Sequence, residues 1–260
     1  MLSSGNAGEG TALLLPFYIE KGEYVMALLG TLVNGACIIA GTLLGLFFTK
    51  IPERFKETVM SGVGLAVMLI GLQMGLEVNS IVIVLLSLLS GALIGEALHL
   101  EERLEAFGKW IERKFAKPGA NSGISEGFIT ASLIFVIGAL SVIGALDGGL
   151  RNDHEVLITK GIIDGFVAIV LTSTLGVGVI FSVIPVVVYQ GSIALLATQI
   201  NSWVPEDMLD LFITDMTATG GLMIVAIGLN ILNITKIRVA NLLPALLMVG
   251  VFLYFQQQFF

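Results

Sequence analysis

Eight apolar runs of membrane-spanning length follow one another along the chain, and no other feature constrains its fold as tightly. They cover residues 26–48, 58–76, 80–98, 127–147, 157–180, 182–200, 212–232 and 238–255. A helix needs roughly 20 mostly apolar residues to cross the hydrocarbon layer, and in lipid it satisfies its own backbone polar groups. The runs predict an all-α fold, a polytopic transmembrane helix bundle of about eight spans. Pro185, close behind Ser182, weakens the division between the fifth and sixth runs. The count falls to seven if one of that pair is re-entrant.

Composition agrees. Only 13 % of the residues are charged and 56 % are hydrophobic, against about 25 % charged in a soluble domain. A water-soluble globule of this alphabet would expose too much apolar surface, and a disordered chain would carry far less of it. The 31 glycines never recur at every third position, which excludes collagen. Cys37 is the single cysteine, and His99 and His154 lack metal-binding spacing, so the sequence calls for no disulfide, no metal and no cofactor. With a net charge of −7 and no basic tract, nucleic acid is excluded as a partner. Phosphate-loop, nucleophile-elbow and zinc-protease signatures are missing, so no enzyme is expected. The weaker alternative, a membrane hydrolase, requires two aspartates sharing a proton.

Lys and Arg set the orientation. One side of an eight-span chain receives Lys50, Arg54, Lys56, Arg103, Lys109, Arg113, Lys114, Lys117, Lys236 and Arg238, and the other receives Lys21, Arg151 and Lys160. The positive-inside rule places the first group in the cytoplasm and both termini outside, as in a bacterial inner membrane.

The chain divides into a leader (1–25), a three-span unit (26–99), a cytoplasmic helix and hinge (100–124), a second three-span unit (127–200) and a two-span unit (212–255). The leader is read from Lys21-Gly22-Glu23, which AAAGGAGAA can encode, a ribosome-binding sequence just before Met26. Met26 is then the expected initiator. Leu100, Leu104, Phe107, Ile111 and Phe115 mark one face of an amphipathic helix, with Trp110 at headgroup depth. It either lies on the leaflet or packs on the bundle. Residues 117–124 form the hinge.

A shift of 103 residues places Gly35, Gly41, Gly45, Gly62 and Gly75 on Gly138, Gly144, Gly148, Gly165 and Gly178. A shift of 157 places Gly64-Leu65 on Gly221-Leu222 and Ile70-Gly71-Leu72-Gln73 on Ile227-Gly228-Leu229-Asn230. A three-span unit repeated in this way re-enters from the opposite side, which predicts inverted internal repeats. Gly41 with Gly45, Gly91 with Gly95 and Gly144 with Gly148 present small faces for helix packing, within the chain or in a homodimer.

Charge inside a span is costly, so its few occurrences are the candidate site. Asp147, Lys160, Asp164 and Asp215 lie in or at the edge of spans, and Lys160 and Asp164 are one helical turn apart. Gly148-Gly149 is expected to end span four and expose carbonyls beside Asp147, as a discontinuous helix does at an ion site. Asn34 and Gln190 are amides inside spans, suited to a substrate or to another helix. Asp215 also reads as helix-start chemistry.

The runs Gly30-Thr-Leu-Val-Asn34-Gly, Ser125-Glu-Gly-Phe-Ile-Thr-Ala-Ser132, Gly144-Ala-Leu-Asp147-Gly-Gly-Leu, Lys160-Gly-Ile-Ile-Asp164-Gly, Tyr189-Gln190-Gly-Ser192 and Asn241-Leu-Leu-Pro244-Ala carry a resemblance. From Met26 to the last span, the sequence resembles the bacterial multi-pass membrane-protein family of unknown function that includes YdfK and YqgA. The resemblance implies a multi-pass inner-membrane protein and no particular substrate. The expected function is transport or channelling of a small solute or ion, through a path lined by Asn34, Asp147, Lys160, Asp164, Gln190 and Asp215. A membrane scaffold without transport is the alternative.

Overall fold

The computed structural model describes residues 25–48, 53–115 and 123–259, so the expected leader up to residue 24 and most of the expected hinge lie outside it. Among the described residues there is no strand. The helices are α1 (Leu29–Leu46), α2 (Glu53–Leu76), α3 (Ile81–Ala97), α4 (Leu100–Phe115), α5 (Ile124–Val136) and α6 (Ala139–Arg151), then α7 (Glu155–Leu175), α8 (Val183–Trp203), α9 (Glu206–Ile231) and α10 (Pro244–Phe259). Single 3-10 stretches precede α8 (Gly176–Ser182) and α10 (Val239–Leu242).

Five continuous stretches are long and apolar enough to cross a membrane: Leu29–Leu46, Glu57–Leu76, Glu155–Ser202, Asp207–Ile231 and Val239–Gln258. Two bent pairs, α3 with α4 at 58° and α5 with α6 at 64°, raise the count to seven. The stretch Glu155–Ser202 is a hairpin. Helix α1 runs parallel to α7, with Gly30 at Leu157 and Gly45 at Thr172, but antiparallel to α8, with Gly35 at Val187 and Gly191 at Leu28. Counting the two arms of this hairpin separately gives eight. The turn falls at Gly176, whose φ of 80° suits glycine, rather than at Ser182. Pro185 sits in the first turn of α8, where its missing N–H is harmless.

Large apolar side chains cover much of the surface, and several polar ones are buried beside the hydrophobic core. Leu65, Leu69, Leu93, Phe166 and Leu247 are largely exposed, whereas Thr31, Asn34, Ser87, Lys160, Asp164, Gln190 and Asp215 are buried. Such a surface is stable where lipid is the solvent. Glycine sets the approach of the helices. A Cβ on Gly41 would lie 2.1 Å from the Gly165 carbonyl oxygen, and one on Gly95 would lie 1.9 Å from that of Asn241. Gly45 meets Thr172, Gly91 meets Ala245, Gly144 meets Leu157 and Gly148 meets His154. The antiparallel pair α2 and α9 packs reciprocally, Gly64 on Gly228 and Gly71 on Gly221.

Span four runs past the glycine pair expected to end it. Helix α6 runs through Gly148 and Gly149 and ends at Asn152, whose φ is 54°. A Cβ on Gly149 would lie 2.1 Å from the Ala194 carbonyl oxygen, so this glycine serves close packing on α8. The break is at Ile137-Gly138, where Gly138 adopts a φ of 137°, a conformation that disfavours any other residue.

Helix α4 both packs and faces outward. Ile111 is buried with Ile124 and Phe128, while Phe107 stacks on Trp110 at 5.7 Å with both rings about half exposed. Its bend from α3 is pinned by two carboxylates, Glu96 and Glu101. Glu96 accepts from Arg238 Nη1 and Asn241 Nδ2, each at 2.6 Å. Glu101 Oε2 accepts from the Ala240 amide at 2.8 Å, and the Glu101 amide donates to Asn241 Oδ1 at 2.7 Å.

Candidate functional site

The break in span four leaves the last carbonyls of α5 without helical partners, in the interior of the bundle. One of them, Phe135 O, accepts from Lys160 Nζ at 3.0 Å and from Ser141 Oγ at 3.4 Å. The carboxyl end of a helix carries partial negative charge, so an ammonium is the natural group to place there. Lys160 also donates to Asp164, as the one-turn spacing on α7 predicts. Across the interface with α1, the Asn34 amide lies within hydrogen-bonding reach of Asp164 and donates to Gln190 Oε1 at 3.2 Å. Gln190 Nε2 then donates to Ser141 Oγ at 3.4 Å.

Five hydrogen bonds run from Asp164 through Lys160, Phe135 O, Ser141 and Gln190 to Asn34, which lies beside Asp164 and so completes a ring of neighbours. Four spans contribute to it, and Asn34, Ser141 and Gln190 are fully buried, with Lys160 and Asp164 nearly so. Glycine explains how the ring fits. Gly161 lets α7 approach α1 so closely that an added Cβ would lie 2.9 Å from Asn34 Cα. Asn34 Oδ1 is buried with no hydrogen-bond partner among the described residues.

The structure brings together Asn34, Lys160, Asp164 and Gln190, and separates Asp147 and Asp215 from them. Asp147 accepts from Arg151 at 3.3 Å near the far end of α6. Asp215 lies well inside α9 rather than at its start. Its Oδ1 accepts from the amides of Asn79 and Ser80 at 2.9 Å, so it caps the entry of α3. Sequence reading missed Ser141 and the Phe135 carbonyl. Gly138, already noted in the glycine register, was the signal, because the groups freed by a break lie within a few residues of it.

Three cavities flank span four. One of about 500 Å³ opens at the α4 end, bordered by Glu101, Glu105, Glu112 and Glu126 with Lys109, and reaches Leu133. Burial lifts the Glu101 carboxyl above its ordinary range, against the opposing effect of the Ala240 hydrogen bond. A second, of about 360 Å³, lies at the opposite end beside Asp147, Arg151 and Asp210. An apolar cavity of about 380 Å³ extends between Val136, Leu146 and α8–α10. None of these three is lined by Asn34, Lys160, Asp164 or Gln190, all of which are buried. Among the described residues, no group of three His, Cys, Asp or Glu could hold a metal ion.

Comparison with known proteins matches residues 29–254 to the family described as "Protein of unknown function (DUF554)". The chain is 35 % identical over 236 residues to the "Uncharacterized membrane protein YdfK" of Bacillus subtilis (strain 168), covering 86 % of this chain and 95 % of that protein. It is 30 % identical over 224 residues to the "Uncharacterized protein YqgA" of Escherichia coli (strain K12), covering 85 % and 94 %. No solved structure matches the chain.

Proposed function

The chain belongs to the DUF554 family, and within it we propose that this helical membrane protein is a transporter or channel for a small solute or ion. One observation carries the proposal: a buried Lys160–Asp164 pair bonded to the open carbonyl end of a broken span. A charge at the bilayer centre costs roughly 2.5 kcal/mol or more, and broken helices mark the substrate or ion sites of many transporters. Asn34 and Gln190 complete a polar lining, and the buried ring corresponds to a closed form.

The antiparallel, reciprocal packing of α2 on α9 joins segments that are 157 residues apart and similar in sequence. It supports an inverted relationship between them. The ten-to-three division of basic residues supports a bacterial inner-membrane location with α4 on the cytoplasmic side. A non-catalytic role is supported by the aspartates, since Asp147, Asp164 and Asp215 each engage different partners. A homodimer would use faces other than those of Gly41, Gly45, Gly91, Gly95, Gly144 and Gly148, which the chain's own residues cover.

A scaffold is the second reading, favoured by the ring's burial and internal pairing. Proteoliposomes loaded with a panel of inorganic ions and small metabolites distinguish the two. Transport predicts flux of at least one species that Asp164→Asn and Ser141→Ala reduce. No flux of any species by correctly folded protein would leave the scaffold.

A further inference from the structure

We infer that the apolar cavity beside span four is a phospholipid site, holding one acyl chain of a zwitterionic aminophospholipid with its headgroup at the polar mouth. This goes beyond transport and does not depend on it. The cavity, about 380 Å³, is within the range of small-molecule sites, and Val136, Val142, Leu146, Phe212 and Met216 line it. Leu247 is also part of the lining and is three-quarters exposed, so this wall reaches the surface that faces lipid. A hydrocarbon chain can therefore enter sideways from the bilayer.

The cavity has one polar neighbour. Leu146 and Leu209 line both this chamber and the cavity of about 360 Å³ that holds Asp147, Arg151, Asn201 and Asp210. Hydrocarbon below and charge above form an amphipathic crevice at the end of the bundle opposite α4. Arg151 is largely exposed and bonds Asp147 with a single nitrogen, so its guanidinium has donors left for a phosphate. The Asp210 carboxylate suits an ammonium. A headgroup carrying both charges fits this mouth better than an anionic one, which would meet two carboxylates.

The test uses the full chain in detergent and phosphatidylethanolamine spin-labelled on its acyl chain, read by electron paramagnetic resonance. The expected result is a saturable immobilised component, displaced by unlabelled phosphatidylethanolamine about tenfold more effectively than by phosphatidylglycerol. Leu146→Trp, which fills the chamber, should abolish the component. Because that variant could fold poorly, the exposed pair Arg151→Ala with Asp210→Ala serves alongside it. This pair should erase the headgroup preference while the immobilised component remains saturable. Several outcomes would overturn the proposal: no saturable component, immobilisation that Leu146→Trp leaves intact in folded protein, equal displacement by both lipids, or a component seen only when a second copy covers the crevice.

Discussion

Removing Asp164 alone should destabilise the protein far more than removing the whole ion pair. In Asp164→Asn, the Lys160 ammonium stays buried with the Phe135 carbonyl as its remaining strong partner. Side-chain exposures of 7 % and 9 % leave almost no route for water to compensate. Breaking a buried pair from one side costs about 3–5 kcal/mol, because an uncompensated charge remains. Lys160→Met should cost a similar amount, since Asp164 keeps only the Asn34 amide and Phe135 O loses its nearest donor. The double variant Lys160→Met/Asp164→Leu removes both charges. Its remaining penalty is the weakened satisfaction of the Phe135 carbonyl, about 1–3 kcal/mol, offset by the relief of desolvation. Reversible unfolding in mixed micelles measures all three variants. Single variants within about 1 kcal/mol of wild type would refute the idea that the pair is buried and mutually dependent. Transport assays on the double variant separate structure from function. A folded protein that has lost flux assigns the charges to transport, whereas unchanged flux would confine them to structure.

Glycine substitutions give a paired comparison. Gly41→Ala should destabilise by about 1–3 kcal/mol or more, because its new methyl would overlap the Gly165 backbone. Gly62→Ala meets nothing within 4 Å and should be neutral or slightly stabilising in the same unfolding assay. Asp215→Ala should cost about 1–3 kcal/mol by leaving the Asn79 and Ser80 amides unpaired at the entry of α3, seen as faster hydrogen exchange at both. Glu101 should give a pH signature. Its folded-state pKa lies above the ordinary value of 4.5, so the protonated acid is the form the fold favours. Its contribution to stability is fully present below that value and is lost as pH rises through the folded-state pKa. Thermal unfolding across that range should therefore fall less steeply with pH in Glu101→Gln. Identical slopes would exclude Glu101 as the titrating group.

One link of the ring could be read directly from the sequence. Lys160 and Asp164 share a helix, and fixed helical geometry turns a spacing of four into a contact. Asn34 and Gln190 stood out as amides in apolar runs, but their mutual contact spans 156 positions and depends on how α1, α7 and α8 pack. Asp147 looked equivalent to Asp164 by composition. It differs in place: Asp147 and its partner Arg151 lie near the solvent-exposed end of α6, whereas Lys160 and Asp164 are buried among other helices.

The sequence by itself determined the solvent and the secondary structure. Long uncharged runs satisfy their backbones only as helices in lipid, and that constraint is local. It also restricted the candidate site to a few residues, since charge in such runs is too costly to be frequent. Only the tertiary structure decided which glycine breaks a span and which ones let helices touch. The two uses demand the same residue, and a neighbour's backbone chooses between them. Gly149 stays helical against Ala194, while Gly138 takes the conformation that frees the Phe135 carbonyl for Lys160.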